Sequence, residues 1–257
     1  MFNSLALDGA KIEEWYSDEY YKERKEYYFD NVIVDSDKGI FNDNIREFQD
    51  GLDIILSHKK GGRLLDIGCG IGVFLKIARE KGWDGYGIDI SSFAIDYAKN
   101  RFGLNVKCGR PVDAAFPDDY FDVVTMWDSI EHFNDPTTEL REINRILKKE
   151  GIILLNTPNA DSLMRMLSDL VYKTSLKRIK YPVKKIYHKY HLYYYSINSI
   201  ITMLRKTGFE PLQVNRKTIP LVKARASRIE KYLVRALSAL EKTFGMEYEL
   251  FIIARKI

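Results

Sequence analysis

A glycine-rich turn between two short apolar segments carries the residues of this chain that are best suited to bind a ligand. Three glycines, Gly68, Gly70 and Gly72, follow the apolar run that ends at Ile67. Glycines let the backbone turn tightly and approach a ligand that a Cβ atom would push away. The second apolar segment ends at Asp89. A carboxylate at the carboxyl end of a parallel strand can bridge the two hydroxyls of a ribose, so we predict a nucleoside-cofactor site.

The spacing of the glycines indicates which nucleoside is bound. A dinucleotide fingerprint, G-x-G-x-x-G, would need glycine at position 73, where this chain has Val73. The chain instead reads D-x-G-C-G-x-G, from Asp66 through Cys69 to Gly72. This form resembles the first motif of class I S-adenosylmethionine-dependent methyltransferases, whose loop packs against the amino acid end of the cofactor. A glycine turn in a cofactor-free α/β domain is the competing interpretation, and the placement of Asp66 and Asp89 argues against it.

The elements that must position this loop alternate along the chain. Seven stretches have the apolar character and length of strands, at 63–67, 85–90, 104–108, 121–126, 151–156, 209–215 and 248–254. Helical patterns lie between most of them, which indicates an α/β protein with a doubly wound, mostly parallel sheet. The resemblance implies a Rossmann-like, seven-stranded sheet with an antiparallel C-terminal strand and helical inserts that form a lid.

Length and composition suit a sizeable soluble unit. The chain has 257 residues, enough for a full α/β core in about one to two domains. Cys69 and Cys108 cannot build a disulfide framework, so we expect reduced thiols in a cytoplasmic protein. The N-terminus lacks the pattern of a signal peptide, and no window has the apolar length of a membrane span. We expect a helical, aromatic-rich cap at 1–60 and a cofactor-binding domain at 61–257.

Three later blocks sharpen the resemblance: FDVVTMWDSIEHFNDP, LREINRILKKEGIILLNTPN and HLYYYSINSIITMLRKTGF. They are similar to blocks of the methyltransferase branch that includes ubiquinone-biosynthesis O-methyltransferases and many glycan- and natural-product-modifying enzymes. The resemblance covers residues 40–160 well and 190–215 more weakly. It implies S-adenosylmethionine as cofactor and S-adenosylhomocysteine as product. The cofactor-binding residues it implies are Asp66, Gly68, Cys69, Gly70 and Gly72 for the methionine part, Asp89 and Ile90 for the ribose, and Trp127 where the sulfonium meets the acceptor.

One position departs from the family pattern. After the third strand the family usually has Gly-Asp, whose acid reaches the adenine amino group, whereas this chain has Gly109 and Arg110. Arginine cannot accept a hydrogen bond. We therefore expect adenine recognition by backbone groups or by Asp113, and stacking of Arg110 on the adenine face is an open alternative.

Catalytic residues are expected after the fourth strand, at Asp128 and His132. An oxygen acceptor of high pKa needs a base, and the ordinary pKa of histidine suits proton transfer near neutrality. A structural role for His132, as a turn cap or a packing residue, is equally open. Asp128, Glu131 and His132 also offer ligands to a divalent ion, but neighbouring positions on a helix point in different directions. We predict no metal.

Charge is divided unevenly along the chain. Residues 1–159 hold 20 basic and 29 acidic side chains, whereas residues 160–235 hold 17 basic and 4 acidic. The basic block falls in two inserts, at about 160–195 and 216–244. By the resemblance, such inserts overhang the acceptor side of the cleft, so an anionic acceptor is expected there.

The first insert interleaves lysines with tyrosines, among them Lys184, Lys185 and Tyr194. We expect these three to bind the acceptor, because lysines pair with phosphate or carboxylate and tyrosines stack on a sugar or ring. The second insert has the pattern of a basic amphipathic helix, which either lies on an anionic membrane surface or docks on its own domain. A solvated cationic face packed on the core is the competing interpretation.

Three functions fit these observations. The favoured one is methylation, on oxygen, of a small-molecule, glycan or lipid-linked acceptor. An RNA or DNA methyltransferase is the second, since basic residues among aromatics suit a nucleic acid backbone. Base-amino methyltransferases usually place an N/D-P-P-Y-type tetrapeptide where this chain reads W-D-S-I, which disfavours nucleic acid. A non-catalytic cofactor-binding module is the third, and the intact loop with Asp89 argues against it. The sequence does not specify the oligomeric state.

Overall fold

Helices and strands alternate through the described part of the chain, as the sequence predicts. The computed structural model describes residues 43–187, 190–218 and 228–257, so most of the cap predicted at 1–60 lies outside it. The elements, in order, are α1 (Asp43–His58), β1 (Arg63–Ile67), α2 (Val73–Glu80), β2 (Asp84–Asp89), α3 (Ser92–Phe102), β3 (Asn105–Cys108), β4 (Phe121–Trp127), α4 (Pro136–Ile146), β5 (Leu147–Pro158), α5 (Leu163–Thr174), α6 (Tyr181–Ile186), α7 (Ile197–Lys206), β6 (Phe209–Lys217), α8 (Arg228–Phe244) and β7 (Glu249–Lys256).

The described residues form a seven-stranded sheet in the order β3-β2-β1-β4-β5-β7-β6. The pairs among β1 to β5 are parallel, and β7 runs antiparallel to both β5 and β6. The predicted fold class and its antiparallel C-terminal strand are confirmed. The strand order reverses between β1 and β4, so the carboxyl ends of these strands border the crevice in which open α/β sheets bind ligands.

The core lies on both faces of the sheet because successive strand residues point to opposite sides. In β1, Leu64 packs against helices α1, α2 and α3, whereas Leu65 packs on the other face with α4 and α7. In α1, Leu52 and Ile55 are fully buried against the sheet. Burying one such aliphatic side chain stabilises the fold by about 1.5–3 kcal/mol. α1 is therefore held by the same core that positions the glycine loop.

Strand β5 begins four residues earlier than the sequence predicts, directly after α4. Phe121 of β4 pairs with Leu147, but Val123 pairs with Ile152, so the intervening residues of β5 bulge out of register. Glu150 lies in the bulge with a φ of 60°. Lys149 and Glu150 in the bulge are exposed and Lys148 is half-buried, so these charged residues leave no apolar alternation by which the sequence could reveal a strand.

No helix in residues 43–187, 190–218 or 228–257 is long and apolar enough to cross a membrane. Helix α8 occupies the position of the predicted basic amphipathic segment and packs on α5.

Candidate functional site

The glycine loop between β1 and α2 lies against the end of β2. The amides of Gly68 and Cys69 donate hydrogen bonds to the carbonyl of Ile88 at 2.8 and 3.1 Å. Gly68 has a φ of 76°, and a Cβ atom there would lie 2.2 Å from Ser129 Oγ. At Gly72 (φ 83°) a Cβ atom would lie 2.4 Å from Leu104 Cδ1. Glycine at 68 lets the loop approach the end of β4, and glycine at 72 lets it pack on α3.

Asp89 braces this loop. Its Oδ2 accepts a hydrogen bond from the amide of Gly70 at 2.8 Å, and its Oδ1 accepts one from the amide of Ser91 at 2.9 Å. Burial raises the pKa of Asp89, and the backbone hydrogen bonds oppose that rise. Ile90 also supplies a backbone hydrogen bond, and a carboxylate has about four lone-pair positions, so some acceptor capacity remains for the ribose predicted to bind here. Asp89 thus fits a nucleoside and also holds the loop in shape.

Asp66 lies beneath the loop with only 2 % of its surface exposed. Thr125 Oγ1 donates a hydrogen bond to its Oδ1 at 2.7 Å. Burial, with a smaller contribution from Asp89, raises the pKa of Asp66 to about 8, against the hydrogen bond from Thr125. The carboxyl group is therefore largely protonated at neutral pH. Cys69 beside it is also buried, and burial raises the pKa of its thiol.

The region predicted to receive adenine contains an exposed ion pair. Arg110 Nε lies 2.8 Å from Asp113 Oδ2, and Arg110 Nη2 lies 3.3 Å from Asp113 Oδ1. Arg110 therefore pairs with Asp113, the acid that the sequence suggests for adenine recognition in place of the usual acid at position 110. Adenine binding through Asp113 stays a prediction, and it would require this two-point pair to share its oxygens or to open.

Trp127, at the end of β4, packs on α1 and the sheet. Its ring centroid lies 5.0 Å from that of Phe48, 5.3 Å from that of Phe74 and 6.0 Å from that of Phe251. A Cβ atom at Gly51 would lie 2.4 Å from Trp127 Cη2, so α1 approaches closely because residue 51 is glycine. The packing explains how Trp127 anchors α1, and its contact with the cofactor stays a prediction.

Asp128 follows with a φ of 46°, a conformation that few non-glycine residues adopt. Its amide donates to the carbonyl of Asn156 at 3.0 Å, and its Oδ1 lies 3.5 Å from Asn156 Nδ2. Backbone strain of this kind persists where the surrounding structure enforces it and is frequent at functional sites. The strained turn directs the chain into a short 3₁₀ helix (Ile130–His132).

His132 lies at the end of this 3₁₀ helix, beside a second histidine. Its Nδ1 is 2.9 Å from the carbonyl oxygen of Tyr190, and its ring centroid is 4.8 Å from that of His191. Glu131 is fully buried, and its Oε2 accepts a hydrogen bond from Thr157 Oγ1 at 2.9 Å. The sequence places Glu131 and His132 together, but His191 joins them only through the fold.

The first basic insert contains a buried arginine that the sequence does not single out. Arg165 of α5 is 4 % exposed, and its guanidinium lies 3.6 Å from the ring centroid of Tyr194 and 4.5 Å from that of Tyr187. Its Nε and Nη2 have no hydrogen-bond partner among the described residues. Lys184 is exposed on α6, and the side chain of Lys185 lies outside the part of the chain that is described. An arginine in the apolar run L-M-R-M-L is the signal that could have indicated Arg165.

The comparisons with known proteins identify the family. The model of a family described as "Methyltransferase domain" matches residues 41–214, so the chain belongs to this family. Arabidopsis thaliana phosphoethanolamine N-methyltransferase 3 is 28% identical over 77% of this chain and 36% of its own length. A ubiquinone biosynthesis O-methyltransferase of Neisseria meningitidis is 32% identical over 42% of this chain and 50% of its own length. The chain thus spans between about a third and a half of these two relatives.

The solved structures agree on the fold. A SAM-dependent methyltransferase from Archaeoglobus fulgidus superposes with a TM-score of 0.60 at 20% identity, covering 92% of this chain and 100% of that one. The fold and the glycine loop define a class I S-adenosylmethionine-dependent methyltransferase, and the predicted cofactor, S-adenosylmethionine, is confirmed. The individual cofactor-contacting residues stay predictions, which the bracing of the loop by Asp89 supports.

Proposed function

We propose that this methyltransferase methylates an oxygen of a small-molecule, glycan or lipid-linked acceptor that carries a negative charge. The observation that carries the proposal is Arg165, a buried guanidinium between two tyrosines in the first basic insert. A buried cation is costly unless an anion pairs with it. Burial chiefly raises the pKa of the Tyr248 hydroxyl, and Arg165 lowers and Asp128 raises the same pKa, so Arg165 and the predicted catalytic residue Asp128 both lie near this tyrosine.

The chemistry requires little beyond positioning. S-adenosylmethionine supplies a methyl group on a sulfonium, which leaves as a thioether with the electron pair of the broken C–S bond. The acceptor oxygen forms the new O–C bond, and its hydroxyl proton passes to a base, for which His132 is the predicted residue. The protein holds the two reactants in line, and such positioning alone is worth up to about 7–11 kcal/mol of the barrier. Asp66, Asp89 and the glycine loop would hold the cofactor, and Asp128 and His132 would face the acceptor.

A second candidate is N-methylation of a phosphorylated amine. The Arabidopsis relative is named for that activity and matches 77% of this chain. A phosphate would suit Arg165, because guanidinium groups bind phosphate through paired hydrogen bonds. This candidate needs no base of high proton affinity once the amine is neutral. Direct assay with phosphoethanolamine separates it from methylation on oxygen.

Label transfer from methyl-labelled S-adenosylmethionine into fractionated cell extract tests the proposal. The fractions are organic-soluble lipid, aqueous small molecules with glycans, and nucleic acid. Asp89→Asn is the blank because its amide oxygen can still accept a hydrogen bond from the Gly70 amide, so the loop keeps its brace. The exposed Asp96→Asn on α3 is the matched control. We expect wild type and Asp96→Asn to label the lipid or the small-molecule and glycan fraction, at anionic products. Label confined to nucleic acid would overturn the proposal.

The peripheral membrane contact predicted for the second insert is part of this proposal for a lipid-linked acceptor. In α8, Tyr232, Leu240 and Phe244 are exposed apolar side chains, while Glu241 is fully buried. Sedimentation with anionic vesicles tests the contact. Tyr232→Ser with Phe244→Ser should reduce the bound fraction, and equal sedimentation of both proteins would contradict it.

A further inference from the structure

Two histidines and a buried glutamate meet beyond the carboxyl end of β4. One ligand atom from each of Glu131, His132 and His191 lies within 4.8 Å of the other two. Glu131 and His132 belong to the 3₁₀ helix after β4, and His191 belongs to the segment that precedes α7. We propose that these three side chains form a binding site for one divalent transition-metal cation.

The hydrogen bonds of His132 prepare it as a ligand. Its Nδ1 lies 2.9 Å from the carbonyl oxygen of Tyr190. Because a carbonyl oxygen only accepts hydrogen bonds, Nδ1 carries the hydrogen of the neutral imidazole and the lone pair is on Nε2. Metal-binding histidines typically donate their other ring N–H to a carbonyl or carboxylate, which fixes the tautomer and the ring orientation. His132 has this arrangement.

Glu131 is oriented in a similar way. Its Oε2 accepts the hydrogen bond from Thr157 Oγ1, a fully buried hydroxyl of β5. Its Oε1 lies 4.0 Å from His191 Nε2. That distance is longer than a hydrogen bond, which ends near about 3.2 Å. It is close to the separation of two ligand atoms on a tetrahedral cation, about 3.4 Å for bonds of about 2.0–2.1 Å. A small inward movement of two side chains would therefore complete the site.

The backbone holds the two segments together without help from a cation. The amides of Leu192 and Tyr193 donate to the carbonyl of Glu131 at 2.9 and 3.2 Å, and the amide of Ala160 donates to the carbonyl of Tyr195 at 2.8 Å. These bonds fix the backbone that follows His191, and on its other side the carbonyl of Tyr190 contacts His132 Nδ1. The site is thus built in advance, and binding need not order a loop.

The donor set indicates the class of cation. Two imidazoles and one carboxylate suit Zn²⁺, Mn²⁺ or Fe²⁺ and leave coordination positions for water or a substrate oxygen. The binding itself is independent of the proposed function. Its role rests on that function: a cation would lower the pKa of a coordinated acceptor hydroxyl, so that with the cation bound water could accept the proton and His132 would act as a ligand in place of the base named above.

Cobalt titration of the untagged, chelator-treated full chain tests the site, with Zn²⁺ competition as a second measurement. We expect one equivalent of Co²⁺ with visible absorption bands that Zn²⁺ abolishes. Glu131→Gln, which can still accept from Thr157, and His191→Asn should each weaken Co²⁺ binding more than tenfold. His58→Asn, an exposed histidine at the end of α1, should not. Thr157→Val keeps all three ligands and should weaken binding about 10–100-fold, because it removes the hydrogen bond that orients Glu131.

Equal Co²⁺ affinity of wild type, Glu131→Gln and His191→Asn would overturn the inference and leave an ion-paired Glu131–His191 contact instead. Affinity for S-adenosylmethionine is measured on the same samples and shows that each variant is folded. Wild-type protein that binds S-adenosylmethionine but no Co²⁺ would refute only the cation site. Intact Co²⁺ binding in a chain that does not bind S-adenosylmethionine would refute the proposed function and leave the cation site standing.

Discussion

Replacing Asp66 with asparagine should make the stability of this protein less dependent on pH. Asp66 is almost completely buried beneath the glycine loop, and burial raises its pKa to about 8 from its ordinary value of 3.8. The folded protein therefore binds a proton at this position that the unfolded chain releases above about pH 4. Stability from this group is complete at low pH and is lost as the pH rises toward the folded-state pKa. Asparagine cannot titrate, and its amide oxygen can still accept the hydrogen bond from Thr125.

The size of the effect follows from proton linkage. A group that is protonated in the folded state and ionised in the unfolded state lowers the free energy of unfolding by about 1.36 kcal/mol per pH unit. Between pH 5 and pH 7, about 2.7 kcal/mol of stability should be lost in wild type through Asp66 and retained in Asp66→Asn. Glu139 and Glu241, whose pKa values burial also raises to about 7, contribute equally to both proteins and cancel in the comparison.

Urea unfolding at pH 5, 6 and 7 measures this difference, with the exposed Asp96→Asn on α3 as the matched control. As the pH rises, wild type and Asp96→Asn should lose stability in parallel. The free energy of unfolding of Asp66→Asn should fall less steeply with pH, by the contribution of about one proton to the slope. Three parallel curves would mean that Asp66 ionises as easily in the folded protein as in the unfolded chain. That result would refute the burial argument for this acid.

Three further predictions concern the acceptor side. His132→Ala should abolish methyl transfer with unchanged affinity for S-adenosylmethionine, measured by calorimetry; unaltered turnover would leave His132 a structural residue. Arg165→Gln should raise the KM for an anionic acceptor more than tenfold, because a charge-assisted hydrogen bond is worth about 1.5–3 kcal/mol. Arg165→Lys keeps the positive charge and should show a smaller rise in KM. An equal rise in KM for a neutral acceptor would contradict recognition of the charge. Lys184→Glu should raise the acceptor KM and leave cofactor affinity alone, with Lys99→Glu on α3 as the control of equal charge change, and the opposite pattern would move α6 away from the acceptor.

The strand–loop–helix unit of the predicted cofactor site could be predicted from the sequence because its determinants are local. Gly68, Gly70 and Gly72 lie within five consecutive residues, and the apolar runs on either side define β1 and α2. Asp89 marks the end of β2, and the parallel pairing of β1 with β2 brings that end to the loop. What the sequence could not show is that Asp89 also accepts the Gly70 amide, since no local pattern encodes that contact.

The acceptor half could be predicted only in part because its contacts span long stretches of chain. His191 reaches Glu131 through backbone hydrogen bonds between residues 131 and 192–193, and no periodicity signals such a meeting. Arg165 is one polar residue in an otherwise apolar helical run, and such a pattern predicts a side chain that faces solvent. In the structure its guanidinium is buried between two tyrosines. Trp127 shows the opposite case. Its position at the end of β4 suggests contact with the cofactor, whereas its ring packs against α1.

The two halves also differ in which parts of the fold supply them, and this difference explains why family membership identifies the cofactor but not the acceptor. The cofactor loop, Asp66 and Asp89 belong to β1, β2 and the turns between them, where packing leaves little room for change: a Cβ atom at Gly68 or Gly72 would lie within 2.4 Å of a neighbouring side-chain atom. Arg165 and His191 come from the stretch between β5 and α7, outside the sheet and outside the loop that these glycines constrain. Relatives can therefore share S-adenosylmethionine while their acceptors diverge. The substrate of this protein must accordingly be sought through Arg165, Tyr194 and the Glu131–His132–His191 cluster, and not through the loop.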